Sequence, residues 1–288
     1  MEGNVVVVTG GNSGIGKETA AALAAMGATT VLACRHPGRA QAAAEEIRAR
    51  APDAVVETVS LDLADLASVR RCAEEILARW DRLDVLVNNA GGIWSTRQVT
   101  AQGYEQTFAV NHLGHFYLTN LLAERLRASS PSRVVNLSSV GHHFAAFGMR
   151  FDDLQTEGAY VALEAYSRSK LANLLFTGEL AHRWSGTGVT ANAAHPGPVR
   201  SGFGMDGDLR GIVGLGNKVV RLFEIPASAG ARTSIYLASS PELAGRSGGY
   251  YVRCRPGHMS RHARSQKAAA TLWQVSEELL AEAGFALR

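Results

Sequence analysis

Short apolar runs rich in β-branched residues alternate with longer segments of helical period along most of the 288-residue chain. A strand that is buried on both faces is expected to be continuously apolar, whereas a covering helix repeats its apolar positions every three or four residues. The runs of strand character are NVVVVTG, TTVLACR, AVVETVSLD, LDVLVNNAG, RVVNLSS, VTANAAHPG and GGYYV. Ala-rich helical segments such as GKETAAALAAMG and LASVRRCAEEILARW lie between them. This alternation predicts an α/β fold with a doubly wound parallel sheet and helices on both faces.

The sequence contains no linker-like break, and this predicts a single domain over residues 1–288. Most predicted turns are short, but residues 140–160 and 201–228 form long, Gly-rich and partly aromatic segments. Segments of this length inside a compact domain are more often functional loops than accidents. We therefore expect both to form part of a substrate site.

The composition narrows the function classes. With 46% hydrophobic and 19% charged residues and a net charge of +3, the chain can bury a full core and gives no reason to expect nucleic acid. Cys34, Cys72 and Cys254 lie far apart, which argues against a metal site or a disulfide framework. No apolar run approaches the length of a membrane span, and the start of the chain has no signal-peptide pattern. We expect a cytoplasmic protein without a membrane partner.

The first turn, in VVVVTGGNSGIGKETA, joins the first predicted strand to the first predicted helix. Gly10, Gly14 and Gly16 permit a tight turn and let backbone N–H groups approach a pyrophosphate closely. The helix N-terminus behind them adds partial positive charge. Such glycine spacings are weak signals alone, but this one directly follows an apolar strand and opens a helix. The turn predicts a Rossmann-type dinucleotide site.

The end of the second strand, TTVLACRHPGR, indicates which dinucleotide is bound. An acidic residue here would accept hydrogen bonds from the adenosine ribose of NAD. The chain has Arg35 instead, and a guanidinium suits the 2′-phosphate of NADP. NADP (NADPH) is therefore the expected cofactor.

An ordered set of motifs resembles the short-chain dehydrogenase/reductase family. The motifs are TGGNSGIG at 9–16, NNAG at 88–91, VNHLGH at 110–115, NLSS at 136–139, YSRSK at 166–170 and HPGPVRS at 195–201. LACR, NHLGHFYLT and YSRSKLANLLFTGELA make the chain most similar to the retinol-dehydrogenase-like branch. Membrane-bound members carry an apolar anchor before the first strand, which this chain is expected to lack.

The resemblance implies four catalytic residues. Tyr166 would be the general acid/base, and Lys170 would lower its pKa and bind the nicotinamide ribose. Ser139 would polarise the substrate carbonyl, and Asn111 would anchor a water that links Lys170 to solvent. Tyr166 and Lys170 are four residues apart and therefore share a helix face. A carbonyl that accepts hydride needs a donor and a proton at its oxygen, which suits this division of roles.

The resemblance also implies a set of cofactor contacts along the chain. They involve Gly10, Asn12, Ser13, Gly14, Ile15, Gly16, Arg35, Asp62, Leu63, Asn89, Ala90, Gly91, Tyr166, Lys170, Pro196, Gly197, Val199 and Ser201. Asp62 and Leu63 match the adenine-contacting position, and Pro196 begins the segment that fixes the nicotinamide carboxamide.

Apolar residues in the long segments predict an apolar substrate. Trp94, Phe147 and Phe203 are the candidate pocket residues, although packing in a core or an interface would explain them equally well. His142 and His143 could contact substrate, but histidines in loops are more often solvated.

The leading functional hypothesis is an NADPH-dependent reductase of an apolar ketone or aldehyde, or the reverse alcohol oxidation. Reduction of an imine on the same scaffold is an alternative, and a non-catalytic NADP-sensing protein is a third. The family pairs subunits through two long helices, here about 102–128 and 161–184. The resemblance therefore implies a homodimer or homotetramer.

Overall fold

A parallel sheet forms the centre of the molecule in the computed structural model, which describes residues 1–197 and 225–287. The strands β1 to β8 are Val5–Thr9, Thr29–Cys34, Val56–Ser60, Val85–Asn88, Ser132–Leu137, Val189–His195, Tyr250–Val252 and Arg255–Pro256. Their order across the sheet is β3-β2-β1-β4-β5-β6-β7-β8, and only β8 pairs antiparallel to its neighbour. The predicted fold is confirmed, and β8 is the strand that the sequence pattern did not indicate.

Helices cover both faces of this sheet. The helices α1 to α9 are Gly14–Ala25, Pro37–Arg50, Leu66–Arg79, Gln106–Phe108, Gly114–Leu121, Ala123–Ala128, Ala162–Arg183, Ala227–Ser239 and Gln266–Glu282. Among the described residues, none of them is both long and apolar enough to cross a bilayer.

Two apolar cores lie on the two sides of the sheet. The first packs strand residues such as Val7 and Val134 against α3, α5, α7 and α9. The second packs Val6 and Val8 against α1, α2 and α8. Successive residues of β1 thus enter opposite cores, which explains why the strand is apolar at every position.

The strand order reverses between β1 and β4, and this opens a crevice at the carboxyl ends of the two strands. An ideal Cβ on Gly10, just after β1, would lie 3.1 Å from the Ala90 Cα, just after β4. Parallel α/β sheets bind ligands at such a switch point. The topology therefore brings the TGGNSGIG and NNAG segments together.

The predicted long helix over about 102–128 is divided into shorter pieces. It begins after Glu105, whose carboxylate accepts hydrogen bonds from the Thr107 and Phe108 amides at 2.8 Å each. A π-helical stretch, Ala109–Leu113, then precedes α5. Wide turns of this kind are frequent at functional sites, and this one contains Asn111.

The C-terminal helix α9 covers the helices that the resemblance implied would pair two subunits. The ring centroid of Trp273 lies 4.9 Å from that of Phe116 on α5 and 5.8 Å from that of Phe176 on α7. His112 and Ser276 also meet, with 3.1 Å between Nε2 and Oγ. Association stays a prediction, and a pair formed through α5 and α7 would have to incorporate or displace α9.

Two histidines are buried inside the first core. Burial lowers the pKa of both His112 and His115 to about 3. Both side chains are therefore neutral in the folded protein at every pH at which it is ordinarily handled. In the unfolded chain they take up protons below their usual pKa of about 6.5.

This burial predicts a loss of stability in mild acid. Because the folded-state pKa values are lowered, the stability gained from the neutral histidines is fully present above about pH 6.5 and is lost as the pH falls towards the folded-state values. Between the unfolded-state and folded-state pKa values, each histidine should lower the free energy of unfolding by about 1.4 kcal/mol per pH unit. Urea unfolding at about pH 7 and about pH 5 measures the effect.

His112→Phe is the matched variant, since the ring already lies among Phe108, Phe116 and Phe176. It should lose less stability on acidification than the unchanged protein. Equal pH dependence of the two proteins would show that His112 does not resist protonation in the fold.

Candidate active site

Tyr166 and Lys170 lie one turn apart on α7, as the sequence predicted. The Lys170 Nζ is 5.5 Å from the centre of the Tyr166 ring, and the lysine is 4% exposed. The same Nζ donates to the Leu137 carbonyl at 3.4 Å. The ammonium group is therefore held between the phenol and the carboxyl end of β5.

Ser139 follows β5 and begins a short 3-10 turn. Its Oγ accepts a hydrogen bond from the Gly141 amide at 3.0 Å. The serine hydroxyl also hydrogen-bonds Tyr166. Because the Gly141 amide occupies a lone pair of Oγ, the hydroxyl proton remains available to an acceptor. Gly141 itself must be small, since an ideal Cβ there would lie 3.2 Å from the Tyr166 Cε1 and 3.3 Å from the Ser139 Oγ.

The protonation states of this pair differ from the expectation. Burial raises the pKa of the Tyr166 phenol to about 12, although the hydrogen bond with Ser139 lowers it. Burial also lowers the pKa of the Lys170 ammonium to about 8. The resemblance implied a lowered tyrosine pKa, but the cost of removing a phenolate from water outweighs the hydrogen bond with Ser139. At neutral pH the phenol is protonated and the ammonium is charged.

Asn111 connects three segments around the site. Its Oδ1 accepts from the Gly92 amide at 2.8 Å, and its Nδ2 donates to the Gly92 carbonyl and to the Ser169 Oγ at 2.9 Å each. The side chain therefore fastens the NNAG segment to α7. The predicted water anchor remains a prediction, since this side chain is occupied by protein partners.

His115 extends the same network and was not singled out in the sequence. The Thr9 Oγ1 accepts from the Asn89 and Ala90 amides at 2.9 Å each and lies 2.9 Å from the His115 Nε2. The His115 Nδ1 lies 3.2 Å from the Asn111 carbonyl oxygen. A carbonyl can only accept, so Nδ1 carries the proton and Nε2 accepts from Thr9. The sequence signal that could have identified His115 is its spacing of one helical turn from Asn111.

The first turn has the geometry of a phosphate cradle. Gly10 and Gly14 have φ angles of 65° and 51°, in the left-handed region that suits glycine. Ser13 precedes α1 without a side-chain hydrogen bond to the first helical turn, so the amides of that turn are not capped by it. An anion such as a pyrophosphate fits this helix terminus. Asn12, Gly14 and Ile15 are half-buried beside it, whereas Ser13 is exposed.

Gly10 and Gly14 are explained by their φ angles, whereas Gly16 is explained by the close packing of the backbone around it. A Cβ at this position would lie 2.3 Å from the Gly10 carbonyl oxygen and 2.5 Å from the Asn89 Nδ2. The same Asn89 Nδ2 donates to the Thr9 carbonyl at 2.8 Å. Gly91 is similarly tight, with a Cβ expected 2.9 Å from the Asn111 Oδ1 and 3.4 Å from the Lys170 Nζ. The NNAG segment thus lies between the cradle and the catalytic candidates and contacts both.

The adenosine end of the predicted cofactor site also lies at the carboxyl edge of the sheet. Arg35 follows β2 and is exposed, and its Nε donates to the His36 Nε2 at 3.3 Å. The Asp62 Oδ1 accepts from the Ala64 amide at 3.0 Å, so this carboxylate holds its own turn. Leu63 is buried, and its carbonyl oxygen would lie 2.6 Å from a Cβ on Gly114.

The HPGPVRS segment is only partly described. His195 ends β6 and is buried, and burial lowers its pKa to about 4. Pro196 follows, and Gly197 has a φ of 87°. The predicted cofactor residues Val199 and Ser201 and the predicted pocket residue Phe203 lie outside the described residues.

The predicted substrate residues differ in their surroundings. Trp94 packs on the backbone of Gly92, where a Cβ would lie 2.6 Å from the Trp94 Cη2. Its carbonyl accepts from the Tyr160 hydroxyl at 3.0 Å. Phe147 is 82% exposed. The solvated environment suggested for loop histidines is wrong for His142, which is completely buried.

Comparison with known proteins identifies this arrangement. A family model described as short chain dehydrogenase matches residues 4–151. Retinol dehydrogenase 12 of Mus musculus is 47% identical and aligns over 97% of this chain and 87% of its own length. The chain belongs to the short-chain dehydrogenase/reductase family. Its resemblance to the retinol-dehydrogenase-like branch is likewise confirmed.

Solved structures of similar proteins agree with the assignment of this chain to the short-chain dehydrogenase/reductase family. An uncharacterized protein from Mycobacterium Paratuberculosis is 35% identical with a TM-score of 0.77, covering 100% of this chain and 96% of that one. A protein from Beutenbergia cavernae, described as an NAD(P) dependent gluconate 5-dehydrogenase with bound NADP, is 26% identical. Its TM-score is 0.69, and the match covers 88% of this chain and 95% of that one.

The cradle geometry predicts that Gly16→Ala damages the short-chain dehydrogenase fold at this point. The new methyl group must displace a carbonyl oxygen and an amide, which should cost about 1–3 kcal/mol of unfolding free energy. Chemical denaturation measures that loss, and NADPH titration by fluorescence should show weaker binding.

Gly38→Ala is the matched control. Gly38 lies in α2, and a Cβ there would meet nothing within 4 Å. This substitution should be neutral or slightly stabilising, because alanine restricts the unfolded chain. If both variants had the stability of the unchanged protein, the close packing at Gly16 would be disproved.

Proposed function

We propose that this short-chain dehydrogenase reduces the carbonyl group of an apolar ketone or aldehyde with NADPH, or oxidises the corresponding alcohol. The observation that carries the proposal is the meeting of Ser139, Tyr166 and Lys170 at the carboxyl edge of the sheet. They lie near the glycine cradle, since Gly91 adjoins both Asn111 and Lys170 and follows Ala90, on which Gly10 of the cradle packs. A hydride donor held in the cradle would therefore reach the same place as the two hydroxyl groups.

NADPH, when bound, supplies the hydride. The chain's own residues then manage the substrate oxygen. The Ser139 hydroxyl donates to the carbonyl oxygen and holds it next to the phenol. As negative charge develops on that oxygen, the Tyr166 phenol transfers its proton to it. The charged Lys170 beneath the ring stabilises the phenolate that results.

The resting protonation states suit the chemistry of the reduction. A reduction needs a proton donor, and the Tyr166 phenol is protonated at neutral pH because burial raises its pKa to about 12. Oxidation of an alcohol needs the phenolate as a base, which the same burial disfavours. The geometry equally suits the first step of an imine reduction, but no contact favours that substrate.

The choice of NADP rests on Arg35. It is an exposed guanidinium at the end of β2, where no acidic residue stands to accept hydrogen bonds from a ribose. The Beutenbergia cavernae protein, which contains bound NADP, has a similar fold. That protein is described as NAD(P) dependent, so Arg35 is the observation that supports NADP over NAD.

The apolar character of the substrate is supported by exposed side chains near the candidate catalytic residues. Val140, Phe144 and Phe147, in the segment after Ser139, are 47%, 63% and 82% exposed. Leu163, one turn before Tyr166 on α7, is 54% exposed. The retinol dehydrogenases among the relatives are consistent with such a substrate class. A single domain, a cytoplasmic location and a homodimer or homotetramer complete the proposal.

Tyr166→Phe tests the chemistry. Loss of the proton donor should lower kcat and kcat/KM together by about 10²- to 10⁴-fold, because the donated proton matters mainly in the transition state. NADPH oxidation with a panel of apolar aldehydes and ketones measures the rate. NADPH binding, measured by calorimetry, should remain close to that of the unchanged protein.

Tyr236→Phe is the control, since the exposed Tyr236 hydroxyl donates to Glu242 on the other side of the sheet. It removes the same atom and should leave the rate unchanged. A folded Tyr166→Phe protein that reduces the panel as fast as Tyr236→Phe would refute Tyr166 as the acid.

Arg35→Asp tests the cofactor assignment. The substitution places a carboxylate where the 2′-phosphate is expected, so kcat/KM for NADPH should fall about ten- to hundredfold while that for NADH holds or rises. Arg255→Asp makes the same charge change on β8, near the opposite edge of the sheet, and should alter neither value. Unchanged preference in Arg35→Asp would contradict the assignment.

A further inference from the structure

His142 links the candidate catalytic serine to the C-terminal part of the chain. Its Nδ1 lies 2.6 Å from the Ser139 carbonyl oxygen, and the Ser260 amide donates to its Nε2 at 3.2 Å. The imidazole is completely buried. Both ring nitrogens therefore have a backbone partner, and neither is directed to water.

These partners determine the tautomer of His142. A carbonyl oxygen can only accept, so Nδ1 must carry the proton. A backbone amide can only donate, so Nε2 must be unprotonated. Neutral imidazole with the proton on Nδ1 is the one form that satisfies both contacts, and burial lowers the pKa of His142 in agreement.

The contact acts on the part of Ser139 that sets its side-chain direction. The Ser139 carbonyl also accepts from the His142 amide at 3.1 Å, while the Ser139 Oγ accepts from the Gly141 amide. With its carbonyl held from two directions, the peptide after Ser139 cannot rotate freely. The Cα–Cβ bond, and with it the hydroxyl that meets Tyr166, is oriented as a result.

We propose that His142 is a positioning residue for the reduction, because its Nδ1–H holds the Ser139 carbonyl against the frame supplied by Ser260. This inference rests on the proposed function, in which Ser139 polarises the substrate carbonyl. His142 acts only through Ser139 and has no role in proton transfer. It also couples the catalytic turn to the segment that leads into α9.

The neighbouring contacts strengthen this coupling. The His143 ring lies parallel to that of His258, with 6.0 Å between their centroids. The His262 Nε2 lies 3.1 Å from the Ala146 carbonyl oxygen. The segment after Ser139 is thus fastened to residues 258–262 at several points, and of these three contacts that of His142 is the one that also reaches Ser139.

Two substitutions separate the two bonds of His142. In His142→Asn the amide nitrogen can occupy the place of Nδ1 and donate to Ser139, while nothing reaches Ser260. In His142→Gln the amide oxygen can occupy the place of Nε2 and accept from Ser260, while the donor to Ser139 is lost. A role in packing alone would make the two variants equivalent.

Turnover with NADPH and an apolar aldehyde is then compared in folded protein. His142→Gln should lose kcat by about 10- to 100-fold with little change in KM, as expected when a catalytic group is misplaced by about 1 Å. His142→Asn should retain kcat close to that of the unchanged protein. Full kcat in His142→Gln, or equal losses in His142→Asn and His142→Gln, would overturn the proposal.

The tautomer gives a second test that needs no folded His142→Gln protein. Nitrogen-15 NMR of the unchanged protein, with the His142 signals assigned through His142→Asn, should show a protonated Nδ1 and an unprotonated Nε2 at neutral pH. The opposite tautomer would overturn the proposal. Absence of carbonyl reduction in the unchanged protein would refute the proposed function and this inference together, whereas full activity in His142→Gln would refute the inference alone.

Discussion

The ammonium group of Lys170 is removed from water on the inner side of α7, and it contacts the Leu137 carbonyl and the face of the Tyr166 ring. A buried cation is costly unless nearby dipoles and π-electrons compensate for the lost hydration. The rest of the site is consistent with this constraint. The Asn111 amide fastens Ser169, the residue before Lys170, to Gly92, and Gly91 is small enough to leave room for the ammonium. Burial also keeps the phenol protonated, which is the form that the proposed reduction requires.

The sheet brings these groups together from distant parts of the chain. The reversal of strand order at β1 and β4 opens a crevice, and the carboxyl ends of β1, β4 and β5 place three loops around it. Thr9, Asn89 and His115 bind the first two loops to each other through hydrogen bonds. On the far side, His142 binds the loop after β5 to the C-terminal segment. The cofactor cradle and the hydroxyl groups are thus parts of one hydrogen-bonded frame.

The strands, the glycine turn and the Tyr166–Lys170 pair could be predicted because each depends on local chemistry: continuous apolar runs, a positive φ and a spacing of four residues. The roles of His115 and His142 could not, since they depend on which backbone groups from elsewhere in the chain meet a buried ring. The division of the helix at Ala109–Leu113 is likewise set by tertiary contacts. The raised tyrosine pKa was missed because a sequence shows the neighbouring lysine but not the extent of desolvation.

The proposed chemistry depends most directly on Tyr166 being a protonated phenol above a charged Lys170. Carbon-13 NMR of protein labelled at tyrosine Cζ measures this directly, with the Tyr166 signal identified by its absence from Tyr166→Phe. In the cofactor-free protein that signal should keep the chemical shift of a phenol up to at least about pH 10, the ordinary tyrosine pKa. A signal that changed to that of a phenolate near neutral pH would contradict the account.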